Sequence, residues 1–393
     1  MSYPFRPLES LGTIQTGSTP LTSEDSYWGG DIPFVTPGEL DQDSPVTKTP
    51  RTLSALGAEQ ARLLKAHAVM VCCIGSLGKV GIAGRQLVTN QQINAIEFHE
   101  DKILPRFGYY ACQRLKQKMF SVAPATTVAI VNKSKFGQLE IPVPPVPEQR
   151  RIAAILDQAA ALRAKRRAAL AWLDSLVQSV FRETFRSSLE SEKRIPLKEF
   201  VTEFRYGTSN KSESSGYPAL RIPNVAGGTL DLGELKTVPV DDAEYSRLKL
   251  IDGDLLFVRT NGNPDFVGRC AVFDSTLVAT TGFETSSFIY ASYLIRARLD
   301  TKQLLPAVLQ QYLSFDEGKR EVRSKSKTSA GQFNINTEGL GTLRIPMLPM
   351  QDQLAFLEQL TKIERQRSIQ RRFLDESDAL MASLDYRAFR GEL

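Results

Sequence analysis

Residues 141–149 read Ile-Pro-Val-Pro-Pro-Val-Pro-Glu-Gln, and residues 345–353 read Ile-Pro-Met-Leu-Pro-Met-Gln-Asp-Gln. The Ile-Pro pair, the central proline and the acidic-Gln ending recur in one order, which marks a chain that repeats itself once. Working outward, further matches keep that order: Pro7-Leu8 with Pro196-Leu197, Ile32-Pro33 with Tyr217-Pro218, and Gly78-Lys79-Val80-Gly81 with Val267-Gly268-Arg269. Each match is short, and their common order is the signal.

After each proline-rich segment comes a long stretch free of proline, Glu148–Arg186 and Asp352–Arg390. A helix is expected in both, because a segment that cannot be helical gives way to one with nothing to interrupt it. In the first, Ile152, Ile155, Ala159, Leu162, Arg166, Ala169, Leu173, Leu176 and Val180 follow alternating steps of three and four, the period of a coiled-coil seam. In the second, Phe356, Leu360, Ile363, Arg367, Gln370, Leu374, Ser377, Met381, Leu384 and Ala388 keep those steps with more polar interruptions. Each stretch would extend about 55–60 Å. One such stripe alone reads as an ordinary core helix; two matched ones are expected to pack on each other as an antiparallel pair.

Between the helices lie segments with short apolar, β-branched runs, Ala68–Ile74, Thr127–Val131, Asp254–Val258 and Phe288–Leu294, which read as strands. Helical stretches, Phe107–Lys118 and Leu304–Leu313, alternate with them, and turns are marked by Gly29-Gly30, Gly227-Gly228 and Asn261-Gly262-Asn263-Pro264. The expected architecture is mixed α/β with an internal pseudo-repeat: a globular domain over 1–147, a long helix over 148–188, a second globular domain over 189–351 and a second long helix over 352–393. Residues 187–194 read as a polar linker.

The chain has 393 residues, 42% hydrophobic and 24% charged, with a formal net charge of +5. That is room for two or three domains with cores of their own, and a basic lean that permits an acidic partner without demanding one. The four cysteines, at 72, 73, 112 and 270, match neither a zinc-site spacing nor a disulfide framework, so a reducing, cytoplasmic setting is expected. No apolar run is long enough to span a bilayer, and Met1–Arg6 lacks the features of a signal peptide.

Catalytic motifs are not found. The two histidines, His67 and His99, have no ligand spacing. Asn263-Pro264-Asp265-Phe266 differs from the Asn-Pro-Pro-Tyr/Phe element of adenine methyltransferases at its third position and reads as a turn. Gly75-Ser76-Leu77-Gly78-Lys79 is too short for a phosphate loop, and Pro264-Asp265 with Glu317-Gly318-Lys319 is only a loose echo of a nuclease motif.

The whole order, globular domain, Ile-Pro segment, long helix, globular domain, Ile-Pro segment, long helix, resembles the DNA specificity subunits of type I restriction-modification systems. The residues that carry the resemblance are Ile141–Gln149 running into Arg151-Ile152, Ile345–Gln353, Pro196-Leu197-Lys198-Glu199-Phe200, Gly331-Gln332-Phe333-Asn334-Ile335-Asn336 and Phe389–Leu393. The second half departs from the family pattern, with Gln351-Asp352-Gln353 in place of Pro-x-Glu-Gln. The resemblance implies two target-recognition domains on an antiparallel helical spacer, each reading one half of a bipartite double-stranded DNA site. It implies two modification subunits and restriction subunits as partners, no catalytic residue in this chain, and no cofactor here, S-adenosylmethionine belonging to the partner modification subunit. Trp172 and Phe185, apolar residues expected on outer helix faces, are candidates for docking those partners.

DNA reading needs cations at phosphates and amide or guanidinium groups at base edges. The densest such segment is Lys319–Asn336, with Lys319, Arg320, Arg323, Lys325 and Lys327 followed by Ser329, Gln332 and Asn334. Its counterpart in the first half is Thr126-Thr127 with Asn132, Lys133 and Lys135. A further set is Arg259, Asn261, Asn263 and Arg269 in one domain, and Lys79, Arg85, Asn90, Gln91 and Gln92 in the other. A charge run also reads simply as a solvated face. Two other functions stay open from the residues alone: a scaffold that binds no DNA, and a self-contained nuclease or methyltransferase.

Overall fold

The fold is that of a computed structural model, which describes residues 3–42, 44–123, 128–329 and 331–393. The chain divides into two compact units, residues 1–170 with 369–393, and residues 171–368. The division passes through the middle of both long helices, Val146–Thr184 and Met350–Ala388, not between helix and globular domain.

In the first unit the central sheet is antiparallel, ordered Gly12–Thr16, Ile93–Phe98, Val69–Cys72, Val80–Ile82. Val69–Cys72 is apolar at every position and buried at every position, as an inner strand covered on both faces must be. Each such side chain contributes roughly 1.5–3 kcal/mol by burial. A smaller mixed sheet contains the parallel pair of Trp28–Val35 with Leu87–Thr89. Phe5–Pro7 pairs with Glu140–Pro142, Arg6 opposite Ile141, which ties the chain's beginning to the first Ile-Pro segment.

The second unit repeats each part. Its antiparallel sheet runs Val201–Tyr206, Leu294–Leu299, Leu255–Val258, Cys270–Val272. Its parallel pair is Tyr217–Leu220 with Ile289–Tyr290. Arg194–Pro196 pairs with Arg344–Pro346, Ile195 opposite Ile345. The short sequence matches are structural equivalences: the amides of Leu8 and Leu197 donate to the carbonyls of Leu139 and Leu343 at 2.9 and 2.8 Å, and Pro33 and Pro218 precede the residues of the two parallel pairs.

Both long helices begin where proline is tolerated. Pro147 occupies the first turn of the first helix, where its missing N–H has no intrahelical partner to lose. Within the first unit the two helices run antiparallel, Arg163 pairing with Asp378 at 2.6 Å while Arg166 donates to Gln370 at 3.1 Å and lies over Phe373. Within the second unit Arg367 pairs with Asp174 at 2.6 Å, and Phe181 meets Phe356 edge-on at 5.2 Å.

The ten seam positions read in the second helix are all buried or half-buried. The seam of the first helix lies one residue further round at several turns: Leu156, Val177 and Phe181 are buried, while Ile155, Leu176 and Val180 are only partly so and Leu162 is exposed. Phe185 also differs from expectation. It is 1% exposed, in the core of the second unit, because it lies four residues after the buried Phe181 on the same helix face, where its ring packs on Phe181 and Phe356. Trp172 is 62% exposed.

Four local readings also change. Residues 187–194 include the end of a short helix, Arg186–Glu190, and the first residue of a strand, not only a linker. Phe107–Lys118 spans two helices, Pro105–Gln113 and Lys116–Val122. The run Phe288–Leu294 is divided between two sheets, and among the described residues of Thr127–Val131 only Ile130 makes a bridge, to Ile74.

Candidate nucleic-acid interface

The second unit gathers its polar loops on one three-stranded ribbon. Gln332–Asn334 lies between Thr260–Asn261 and Lys327–Ser329, so Asn334 faces both Thr260 and Lys327. Gly331, at φ 77°, supplies the left-handed turn residue. Strand alternation directs Gln332 and Asn334 away from the core and Phe333 and Ile335 toward it. The Gln332 carbonyl accepts from the Thr260 hydroxyl at 3.1 Å, which leaves its amide N–H groups turned to other partners.

Arg259 stands at the base of this ribbon. Its carbonyl accepts from the Ile335 amide at 2.9 Å, and its guanidinium lies 4.8 Å over the Tyr206 ring and donates to the Ser292 carbonyl at 3.4 Å. The helix Asp316–Lys325 sorts its charges by face. Glu317 pairs with Arg194 at 2.9 Å and Glu321 accepts from the Arg344 amide at 2.9 Å, while Lys319, Arg320 and Arg323 are exposed. Arg323 pairs with Asp265. Lys325 and Lys327 have no ion-pair partner among the described residues. The side chain of Ser329 and residues Thr126 and Thr127 lie outside the described set.

Asn261, Asn263 and Arg269 are engaged inside the protein. Asn263 caps the turn Pro264–Phe266 by accepting from the Asp265 amide at 2.9 Å, and Asn261 accepts from the Asn263 amide at 2.9 Å. Arg269 donates to the Asp265 and Ala226 carbonyls at 2.8 and 3.1 Å and lies over Phe266. These contacts frame the loop next to the ribbon.

In the first unit, Lys79 donates to the Pro37 carbonyl at 3.3 Å and Arg85 pairs with Asp31 at 3.1 Å. Gln91 accepts from the Thr19 hydroxyl at 2.6 Å, and Gln92 bonds Asn90 at 2.9 Å. Lys133 and Lys135 sit in the helix Lys133–Gly137, capped by Asn132; Lys135 reaches the Val122 carbonyl at 3.0 Å.

The segments around Ile130–Asn132 and Gly78–Lys79 are built like their counterparts in the second unit. Val131 donates to the Cys73 carbonyl at 2.9 Å as Ile335 does to Arg259. Ile130 bridges Ile74 as Asn334 pairs with Thr260, and Asn132 and Asn336 each cap the next helix. Gly78 and Gly268 stand at φ 76° and 75°, and the carbonyls of Lys79 and Arg269 each accept, at 2.8 Å, from the amide ending the inner strand.

Sequence reasoning missed several residues here. Gly17-Ser18 and Gly207-Thr208 are equivalent: a Cβ on either glycine would meet the backbone of Thr89-Asn90 or Tyr290-Ala291 within 2.5 Å. Tyr206 beside Gly207, exposed Tyr293, and Arg62, whose guanidinium reaches the Thr16 carbonyl at 2.6 Å, belong to the same edges. The repeated Gly-Ser/Thr dipeptide was the available signal.

Desolvation argues against thiolate chemistry, since burial pushes the thiols of Cys73 and Cys270 up to about 12.

Residues 3–170 match the family described as Type I restriction modification DNA specificity domain. That match takes in the first part of the chain, less than half of it. The specificity-domain match ends at the residue where the first unit leaves the first long helix. Among similar proteins, the EcoKI specificity subunit of Escherichia coli (strain K12) is 28% identical over 302 residues and the StySPI specificity subunit of Salmonella potsdam 23% over 301. Either alignment covers 71% of this chain and 63% of the relative, so the chain spans less than two thirds of their length. The fold is shared with the S subunit of a type I restriction-modification system from M. genitalium, at a TM-score of 0.57 and 15% identity, covering 99% of this chain and 96% of that one.

Proposed function

We propose that this chain belongs to the type I specificity family and is the DNA-recognition component of a type I restriction-modification complex, each unit reading one half of a bipartite duplex site. The carrying observation is that the same loop-and-strand edge is built twice, with exposed amides and cations at its rim in the second unit. Lys325 and Lys327 suit phosphates, and the exposed amide of Gln332 suits an adenine edge. Catalysis is assigned to partner subunits: among the described residues no cluster of His, Cys, Asp and Glu is fit to hold a metal, and the thiols are buried. S-adenosylmethionine would be bound by a modification subunit, two of which, with restriction subunits, would assemble on this chain; exposed Trp172 is a candidate contact. No described helix is long and apolar enough to cross a membrane, and we place the complex in the cytoplasm, where the host genome is.

The test is sequence-resolved adenine methylation in cells expressing this chain with its neighbouring modification subunit, against the modification subunit alone. A bipartite motif that depends on this chain is the expected result. An assembled complex that produces no motif would favour a scaffold that reads no DNA.

A further inference from the structure

The two edges are equivalent in backbone and opposite in chemistry. In the second unit the outward positions are Gln332 and Asn334, and the residue bridged to Asn334 is Thr260. In the first unit the matching positions, set by the bridge of Ile130 to Ile74 and the bond from Val131 to Cys73, are Val128, Ile130 and Ile74. Three polar groups in one unit stand where three β-branched apolar groups stand in the other.

The apolar residues are not the inner face of a misread strand. Val128 is 47% exposed and Ile130 43%, while Ala129 packs on the core and Val131 is buried within it. The alternation is therefore the same as in the second unit, with the outward set changed from amide to hydrocarbon. Lys133, three residues beyond Ile130 at the start of the next helix, is exposed.

We propose that the first unit reads thymine through its 5-methyl group, with Val128 and Ile130 making the contact. This rests on the DNA reading above and adds its chemistry. On the base edges of the major groove the thymine methyl is the one apolar group, so hydrocarbon side chains held at a reading edge can discriminate there and nowhere else on that face. Amides at the same positions in the second unit suit adenine N6 and N7 instead. The two half-sites are thus read by different means from one backbone design.

The experiment uses the full chain assembled with its modification subunit and a duplex carrying the mapped motif. Each thymine is replaced in turn by deoxyuridine, which removes the methyl and keeps every hydrogen-bonding group, and equilibrium binding is measured. In one half-site at least one replacement is expected to weaken binding about fourfold, the worth of one buried methyl. That penalty should vanish in Val128→Ala/Ile130→Ala and persist in Gln332→Ala. Binding that stays sequence-specific but ignores deoxyuridine in both half-sites overturns the methyl reading and leaves DNA recognition standing, as does a penalty unchanged in the double variant. A complex with no sequence preference at all overturns both.

Discussion

Gln149 and Gln353 make the same three hydrogen bonds in the two halves of the chain. Each side-chain carbonyl accepts from a backbone amide at 2.8 Å, Leu104 for one and Leu305 for the other. Each amide donates to two carbonyls, of Lys102 and Pro144 at 2.8 Å in the first unit, and of Gln303 at 2.9 Å and Leu348 at 2.8 Å in the second. Both side chains are fully buried. The glutamine that ends each repeated motif thereby fastens the first turn of a long helix to the segment leading into the helix that starts at Pro105 or Pro306.

Replacing either glutamine by leucine removes all three bonds and strands a buried amide and two carbonyls. Gln149→Leu is expected to destabilise the first unit by about 3 kcal/mol, read as a lower denaturant midpoint. Gln149→Glu should cost more, since it keeps the acceptor but presents an anion to two carbonyls. A midpoint unchanged in both variants would remove the glutamine from the architecture.

Gly78 and Gly268 need their missing side chains. Both are at positive φ, and an added Cβ would lie 2.9 Å from the Lys116 Cα or 2.2 Å from a Val322 methyl. Gly78→Ala and Gly268→Ala are each expected to cost more than about 1 kcal/mol in thermal or chemical unfolding. Gly227→Ala, at a glycine with negative φ and open space around it, is the control and should be near neutral.

Glu203 holds the guanidinium of Arg296, which is 1% exposed and also donates to the Lys249 carbonyl at 3.0 Å. Burial pushes the Glu203 carboxyl up, but the hydrogen bond from Arg205 and the charges of Arg296, Arg205 and Arg298 outweigh it and hold it below the usual glutamate value. A depressed carboxylate stabilises the fold above its unfolded pKa, and that contribution is lost as pH falls through the folded one. Glu203→Gln is therefore expected to destabilise the second unit by about 3 kcal/mol at neutral pH. The gap to wild type should close below about pH 4, measured by urea unfolding across pH.

Lys325 and Lys327 should act on phosphates. Substituting either by glutamine is expected to lower the slope of log K against log salt by about 0.9, leaving the methylated motif the same. A motif that changes instead would move these lysines from positioning to base reading.

The repeat, the two helices and the seam of the second were legible because they rest on spacing along one chain. The seam of the first was legible only to within a residue. Ile155 and Leu156 are both apolar, as are Leu176 and Val177, so periodicity cannot choose between neighbours; the facing helix does. Phe185 was misplaced by the same one-residue shift: counted from Val180 it falls off the seam, whereas counted from the buried Phe181 it lies four residues on, within it. At the candidate interface the residue types were readable, but the engagement of Arg269 with Phe266 and of Arg323 with Asp265 was not.

What the sequence by itself determined is therefore local and periodic: proline-led helix starts, left-handed glycines, apolar runs and the order in which they recur. Only the tertiary structure decided which residues share an edge. Val128 and Gln332 have no side-chain chemistry in common; the offset that relates Ile141 to Ile345, Gly137 to Gly341 and Asn132 to Asn336 aligns them, but nothing along the chain says that either faces outward from an edge. Backbone pairing does, because a strand's bridge partner and its pleat fix which side chains face outward, whatever those side chains are.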